Sequence, residues 1–153
     1  MTFATVVTAK RGLLGALCVG ALVLSAGSAP VSASKERART LHVTKECSQY
    51  QGAAGDWCTI TASNVRQLPV GSRIFYSQAA GFPAGLLDSN VVLDAGRGNR
   101  AVGRCTLDLA TGRGLCTISD GIGRLAGFEA RADVTALGGN DWGWEGTYDF
   151  NED

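Results

Sequence analysis

The chain has 153 residues, with 14 basic and 14 acidic side chains, a formal net charge of zero and 45% hydrophobic residues. This balance supplies no basic field of the kind that binds nucleic acid, and the length is that of one domain. Five cysteines and 21 glycines beside a single histidine favour a disulfide-linked, turn-rich fold over histidine-based catalysis.

Residues 1–33 have the three parts of a secretory signal peptide. Lys10 and Arg11 form a positive start, Gly12 to Ala26 is apolar and uncharged, and Val31 to Ala33 supplies a cleavage site. The apolar stretch is too short and too weakly flanked for a stable membrane anchor. We therefore predict cleavage near Ala33 and a secreted, extracellular protein.

Removal of this segment leaves residues 34–153, a chain of 120 residues that is long enough for one core. We predict a flexible lead-in over 34–39 and one domain over 40–153. Without Lys10 and Arg11 the remainder has 12 basic and 14 acidic residues, a net charge near minus two. A local basic bias near its start is interpreted as a solvated tail; it comprises Lys35, Arg37, Arg39 and Lys45.

Four cysteines remain, in two pairs with the same spacing. Cys47 and Cys58 enclose ten residues, and so do Cys105 and Cys116. A β-hairpin brings such positions face to face, which predicts one disulfide within each pair. A four-cysteine zinc site is the alternative, but the C-x-x-C pairs typical of such sites are missing.

The rest of the chain divides into short β-favouring runs bounded by turn residues. The predicted strands are 40–45, 57–62, 71–79, 86–94, 101–109, 114–119, 125–135 and 142–150. Short turns, such as the one over residues 94–99, join neighbours that can pair antiparallel. This order predicts an all-β fold, a single closed eight-stranded antiparallel β-barrel, with a two-sheet β-sandwich as the alternative.

Three glycines, Gly121, Gly123 and Gly127, lie where the chain enters the predicted seventh strand. Strands keep glycine where the backbone bends or is closely approached, so this spacing predicts a barrel corner. A phosphate-binding loop is the alternative, but a nucleotide fingerprint follows a strand and opens a helix.

The last strand alternates aromatic and polar residues. Trp142, Trp144 and Tyr148 share one face with Phe150, while Glu145 lies on the other. Directed inward, the aromatic face either lines an apolar cavity or fills the core; directed outward, it forms a stacking surface. Trp144 and Tyr148 are the first candidates for a ligand pocket, followed by the further aromatic residues Trp142, Phe75 and Tyr76.

The seventh strand places Glu129, Arg131 and Asp133 on one face. Turned outward they form a solvated charge ladder, and turned inward a desolvated carboxylate beside Arg131 could act as an acid or base. Register decides between the two, because a slip of one residue exchanges the faces.

Other catalytic patterns are missing from the sequence. His42 lies near the start of the predicted domain, and the single histidine is interpreted as a surface residue. No zinc-protease, Walker or calcium-loop motif occurs, so we predict neither a metal nor an organic cofactor.

The segment Gly121-Ile122-Gly123-Arg124-Leu125-Ala126-Gly127 resembles the G-x-G-x-F-x-G strand entry of the allene oxide cyclase barrels, which are similar in fold to dirigent proteins. The cysteine hairpin from Gly103 to Cys116 and the run Trp144 to Tyr148 resemble features of the secreted bacterial branch. The resemblance covers Leu87 to Phe150. Leu125 replaces the family's phenylalanine, and no position matches the glutamate and polar pocket residues of the plant cyclases, so no catalytic residue is assigned from it.

Two functions follow. The resemblance implies a secreted barrel that binds a small apolar or phenolic molecule and steers its cyclisation or isomerisation without a cofactor. The alternative is a non-enzymatic extracellular interaction module for a protein, cell-wall or host partner. Neither involves nucleic acid, and the sequence leaves the oligomeric state open.

Overall fold

A computed structural model describes residues 38–81 and 85–151 of the chain. The predicted signal peptide, and residues 34–37 of the predicted lead-in, lie outside this described part. The described residues form eight strands: β1 Arg39–Glu46, β2 Trp57–Ser63, β3 Arg73–Tyr76, β4 Leu86–Asp94, β5 Arg100–Asp108, β6 Arg113–Ile122, β7 Phe128–Gly138 and β8 Asp141–Phe150.

The strands form one closed antiparallel barrel. Each strand pairs with the next in sequence, and β8 pairs with β1 to close the sheet. The predicted eight-stranded barrel is therefore confirmed, and the two-sheet sandwich is not formed. Because neighbours are antiparallel, the connections after β1, β3, β5 and β7 lie at one end of the barrel and those after β2, β4 and β6 at the other.

Alternation along each strand separates the core from the surface. In β7, for example, Phe128, Ala130, Ala132 and Val134 are buried while the residues between them are exposed. The same period of two holds in β4 and β5. The barrel interior is therefore filled by side chains.

Both predicted disulfides are present. Cys105 and Cys116 are direct partners across β5 and β6. Cys47, which directly follows β1, is bonded to Cys58 near the start of β2, so this disulfide lies at the loop end of the β1–β2 hairpin. Cys58, Cys105 and Cys116 are at most 1% exposed, so the bridges belong to the core.

The glycine segment before β7 forms the predicted corner. A short 3₁₀ helix, Gly123–Leu125, follows β6, so β7 begins at Phe128, three residues later than predicted. A Cβ atom at Gly121 would lie 1.6 Å from the carbonyl oxygen of Leu125. Gly127 has a φ of +70°, and a Cβ there would lie 1.9 Å from the carbonyl oxygen of Asn151. Only glycine permits both approaches.

The predicted third strand, 71–79, is shorter in the structure and spans only Arg73–Tyr76. Within the described residues, no helix is long and apolar enough to cross a membrane.

Candidate functional site

Lys45 is a fully buried lysine in the interior of the barrel. It lies in β1, where Leu41 and Val43 face the core, and the same period of two directs Lys45 inward. Its exposed fraction is 1%. The interpretation of Lys45 as part of a solvated tail is therefore wrong, because β1 is an inner-facing strand of the closed barrel.

The amine of Lys45 has one hydrogen-bond partner among the described residues. Its Nζ donates to Oη of Tyr76 in β3 over 2.5 Å. The same nitrogen lies 4.9 Å from the centre of the Trp144 ring in β8 and 5.3 Å from that of Tyr76, both within the range of cation–π attraction. No carboxylate of the described residues pairs with Lys45. Within residues 38–81 and 85–151, the cation is thus stabilised only by a hydroxyl and two aromatic rings.

Burial changes the acid–base properties of this pair. Desolvation lowers the pKa of Lys45 from 10.5 to about 7, because the low-dielectric interior disfavours the ammonium form. Desolvation also raises the pKa of Tyr76, with a smaller contribution from Tyr50. At neutral pH, Lys45 therefore exists in both protonation states, while Tyr76 keeps its proton.

A small cavity of about 20 Å³ lies beside the pair, which is room for about one water molecule. We call this end of the barrel, crossed by the connections after β1, β3, β5 and β7, the Lys45 end. The cavity is lined by Lys45, Cys47, Tyr50, Cys58, Tyr76, Leu87, Leu107, Leu109 and Trp142.

Tyr50 covers the cavity from the β1–β2 connection. Its ring centre lies 5.0 Å from that of Tyr76. Within the described part of the chain, its buried hydroxyl oxygen has no hydrogen-bond partner, and neither has Nε1 of Trp144. Buried polar atoms are nearly always paired in native proteins. Of these two atoms, only the Tyr50 hydroxyl belongs to a residue that lines the cavity beside the buried amine of Lys45.

The aromatic residues predicted for a pocket lie in three different parts of the barrel. Trp144 and Tyr76 contact the amine of Lys45, and Trp142 lines the cavity. Tyr148 is also buried, but its ring lies among Phe128 and Phe150, towards the opposite end of the barrel. Phe75 points outward, because it neighbours the inward Tyr76 in the same strand.

The candidate polar residues Glu129, Arg131 and Asp133 all lie on the outer face of β7, where they are exposed. Glu129 and Arg131 line an open outer groove of about 370 Å³ with hydroxyl groups of β6 and β8. The structure places this group outside the barrel, so it does not meet the interior aromatic residues. His42 is also exposed, where its Nδ1 contacts a carboxylate oxygen of Glu145.

Sequence reasoning did not identify Lys45 as a site residue, although a signal was present. The predicted strand 40–45 places Lys45 on the same face as Leu41 and Val43. A charged residue on the apolar face of a strand is unusual enough to mark a site. Lys45 is also the one lysine among the described residues, where every other strongly basic side chain is an arginine.

Among the described residues, no group of three or more histidine, cysteine, aspartate or glutamate side chains could hold a metal ion. Comparisons of the chain with protein-family models, with curated proteins and with solved structures found no match.

Proposed function

We propose that this protein binds a small molecule at the Lys45 end of its barrel, and that the ligand has an apolar or phenolic body and an oxygen that accepts hydrogen bonds. The observation that carries the proposal is the buried amine of Lys45, which pairs with no carboxylate of the described chain. Removing an ammonium group from water is costly, and an apolar side chain of similar size stabilises such a position better. A lysine here is therefore poorly explained by stability.

The surroundings of the amine suit such a ligand. Tyr76 and Trp142 supply aromatic walls of the cavity, and the Trp144 ring lies 4.9 Å from Nζ of Lys45. Nζ of Lys45 and Oη of Tyr50 are donors for a ligand oxygen. A few polar groups among apolar walls are typical of small-molecule sites.

The ligand must displace Tyr50 to enter, since the cavity now has room for about one water. Tyr50 comes from the connection after β1, whereas most of the cavity wall comes from strands. A connection can move more easily than a strand within a closed sheet. We expect the Tyr50 ring to turn outward when the ligand binds.

The catalytic version of this proposal is that the protein isomerises the molecule that it binds. A group whose pKa lies near 7 can both accept and donate a proton at neutral pH, and that of Lys45 is lowered to about 7 by burial. Confinement among aromatic rings would select one reactive conformer of the ligand. No cofactor is required for such a step.

We further propose that the protein is exported. The two disulfides support this, because such bonds persist in oxidising compartments. The predicted signal peptide agrees with it.

Native mass spectrometry tests the proposal. The protein is purified, with its disulfides intact, from the cells and separately from the culture medium in which it is expressed. We expect a stoichiometric organic mass bound to the wild type and absent from a folded Lys45→Met variant, which keeps the side-chain length and removes the amine. Tyr148→Phe, at the opposite end, is the matched control and should retain the bound mass. Wild-type protein without bound mass, or equal binding by Lys45→Met, would contradict the proposal.

A second candidate function, an extracellular interaction module, is favoured by a different observation. Four apolar side chains form a row across the outside of neighbouring strands, since Trp57 pairs with Phe75, Phe75 with Val92, and Val92 with Val102. The Trp57 and Phe75 ring centres are 5.9 Å apart, and Val102 is 44% exposed.

An outer groove of about 490 Å³ adjoins this row at Val92 and Val102. Exposed apolar rows of this kind occur at protein contacts. A partner that is lost from a Phe75→Ser, Val102→Ser variant but retained by Lys45→Met would establish this second function and separate it from the first.

A further inference from the structure

We propose that Lys45 forms a Schiff base with its ligand, which assigns the ligand to the aldehydes or reactive ketones. The inference rests on the proposed binding site and adds a covalent bond to it. It depends on the position of Nζ, which is buried at the cavity, is hydrogen-bonded to the Tyr76 hydroxyl and pairs with no carboxylate among the residues that the structure describes.

Nucleophilic attack requires an amine with a free lone pair. Lysines acquire this property when they are desolvated in an apolar pocket. Desolvation has lowered the pKa of Lys45 to about 7, so a large fraction of the amine is neutral near neutral pH. Nζ donates its hydrogen bond to Tyr76, which leaves the nitrogen lone pair available for a carbonyl carbon.

The step balances without a further reactant. The Nζ lone pair forms a bond to the carbonyl carbon, the carbonyl π electrons move to oxygen, and one amine hydrogen passes from nitrogen to that oxygen to give a carbinolamine. The second amine hydrogen then passes to the hydroxyl oxygen, the nitrogen lone pair forms the carbon–nitrogen double bond, and the carbon–oxygen bond breaks to release water. The products are an imine, in which carbon is doubly bonded to Nζ, and one water molecule.

Tyr76 is the group placed to move these protons. Its Oη lies 2.5 Å from Nζ, so it can donate its proton to the departing oxygen and recover one from nitrogen. Burial raises the pKa of Tyr76, which keeps the hydroxyl protonated at neutral pH. The group is therefore a proton donor throughout the working range.

The surroundings also favour the product. A protonated imine is a cation, and the Trp144 ring centre, 4.9 Å from Nζ, attracts a cation at that position. The closed interior excludes bulk water and so slows hydrolysis of the imine.

The chain provides an internal control for the test. Its three lysines are Lys10, Lys35 and Lys45, of which Lys10 lies in the predicted signal peptide. The oxidised protein is incubated with propanal and cyanoborohydride at about pH 7, which converts any imine to a stable propyl amine. Peptide mapping by mass spectrometry then gives the extent of labelling at Lys35 and Lys45 in the same molecules.

We expect Lys45 to be labelled about tenfold or more faster than Lys35. An ordinary lysine is neutral at pH 7 in only about one molecule in a few thousand, whereas about half of a group with a pKa near 7 is neutral. Restricted entry of propanal to the cavity reduces the rate advantage of Lys45 below the ratio of these neutral fractions. Tyr50→Ala, which removes the covering ring, should accelerate labelling at Lys45 and leave Lys35 unchanged.

The outcomes distinguish the two proposals. Labelling of Lys35 but not of Lys45, in both the wild type and Tyr50→Ala, overturns the Schiff base. In that case, a noncovalent mass that the wild type binds and Lys45→Met does not would still support the binding site. If the wild type binds no mass and propanal does not label Lys45, both proposals fail.

Discussion

Nζ of Lys45 lies 4.9 Å from the centre of the Trp144 ring, and these two residues belong to β1 and β8, the first and last strands of the barrel. The strands pair in a register that sets Lys45 opposite Trp142 and Val43 opposite Trp144. The surroundings of the amine therefore exist only when the two ends of the domain meet. Closure of the barrel and assembly of the site are the same event.

The free energy of unfolding should depend on pH through Lys45. Well below pH 7 the lysine is protonated in both the folded and unfolded chains, so it does not make the free energy of unfolding depend on pH. Between about pH 7 and pH 10 the unfolded chain retains a proton that the folded chain has mostly released, because burial lowers the folded pKa to about 7. The free energy of unfolding should therefore rise by about 2 kcal/mol from about pH 7 to pH 9 through this group.

Urea unfolding of the oxidised protein at these two pH values measures the effect, with Lys45→Met as the control. In the described part of the chain, the titratable groups that face the amine are Tyr76, from β3, and Tyr50, from the β1–β2 connection. Burial raises the pKa of both, so they oppose the slope only at higher pH. The stability advantage of Lys45→Met over the wild type should shrink by about 2 kcal/mol between the two conditions. A constant difference would show that Lys45 is not desolvated.

Tyr76→Phe should change the pH profile of labelling at Lys45. The substitution removes the one hydrogen bond that Nζ makes within the described structure, so the ammonium form loses its acceptor and the pKa falls further. It also removes the proton donor for the departing oxygen. We expect a lower midpoint in the plot of propanal labelling against pH and a rate at the plateau about tenfold lower.

The matched control for this change is Tyr148→Phe. Tyr148 is 8% exposed and packs against Phe128 and Phe150, away from the amine. Its pH profile should be the same as that of the wild type. Equal pH profiles for the wild type, Tyr76→Phe and Tyr148→Phe would show that Tyr76 takes no part in imine formation.

The two disulfides should contribute similarly to stability and differently to the site. Both join cysteines separated by 11 positions, a loop for which the chain-entropy model gives about 3 kcal/mol. Only Cys47 and Cys58 line the cavity beside Lys45. Replacing either pair by alanine should lower the melting temperature by similar amounts.

Selective labelling of Lys45 by propanal separates the two double variants. The ratio of labelling at Lys45 to labelling at Lys35 should change in Cys47→Ala, Cys58→Ala, since these cysteines line the cavity, and should stay at the wild-type value in Cys105→Ala, Cys116→Ala, when both are measured below their melting temperatures. A change in labelling in Cys105→Ala, Cys116→Ala but not in Cys47→Ala, Cys58→Ala would contradict a reactive lysine beside the Cys47–Cys58 disulfide.

Gly146→Ala and Gly143→Ala form a matched pair within β8. A Cβ at Gly146 would lie 2.0 Å from the carbonyl oxygen of Arg131, so β7 and β8 would have to separate. At Gly143 the nearest atoms are side-chain carbons of Leu137, at 3.4 Å or more. We expect a loss of about 3 kcal/mol in urea unfolding for the first variant and less than about 1 kcal/mol for the second. Equal losses would contradict this account of β7–β8 packing.

Much of the fold could be predicted from the sequence because its signals are local. Alternation and turn residues mark the strands, and the repeated cysteine spacing indicates both hairpin bridges. The corner before β7 follows from Gly121, Gly123 and Gly127, since only glycine tolerates such close backbone approaches. Short sequential connections then leave few topologies other than a barrel.

The site was harder to predict because it depends on which face of each strand turns inward. Phe75 and Tyr76 are adjacent in β3, so only one of them can face the interior. Tyr76 is the residue that does so. Glu129 and Arg131 lie on the outer face for the same reason. The charge of a lysine predicts a solvent-exposed position, and only the place of Lys45 on the inward face of β1 reverses that expectation.

The most direct test of the account is the pKa of Lys45 in the folded, oxidised protein, measured by NMR titration of the side-chain carbons of isotopically labelled lysine. The chain has only three lysines, so the signals can be assigned with Lys45→Met. The account predicts a titration midpoint near 7 for Lys45, as burial lowers its pKa to about 7. A midpoint above about 10, the value of a solvated lysine, would contradict the buried amine on which the proposed site and its chemistry depend.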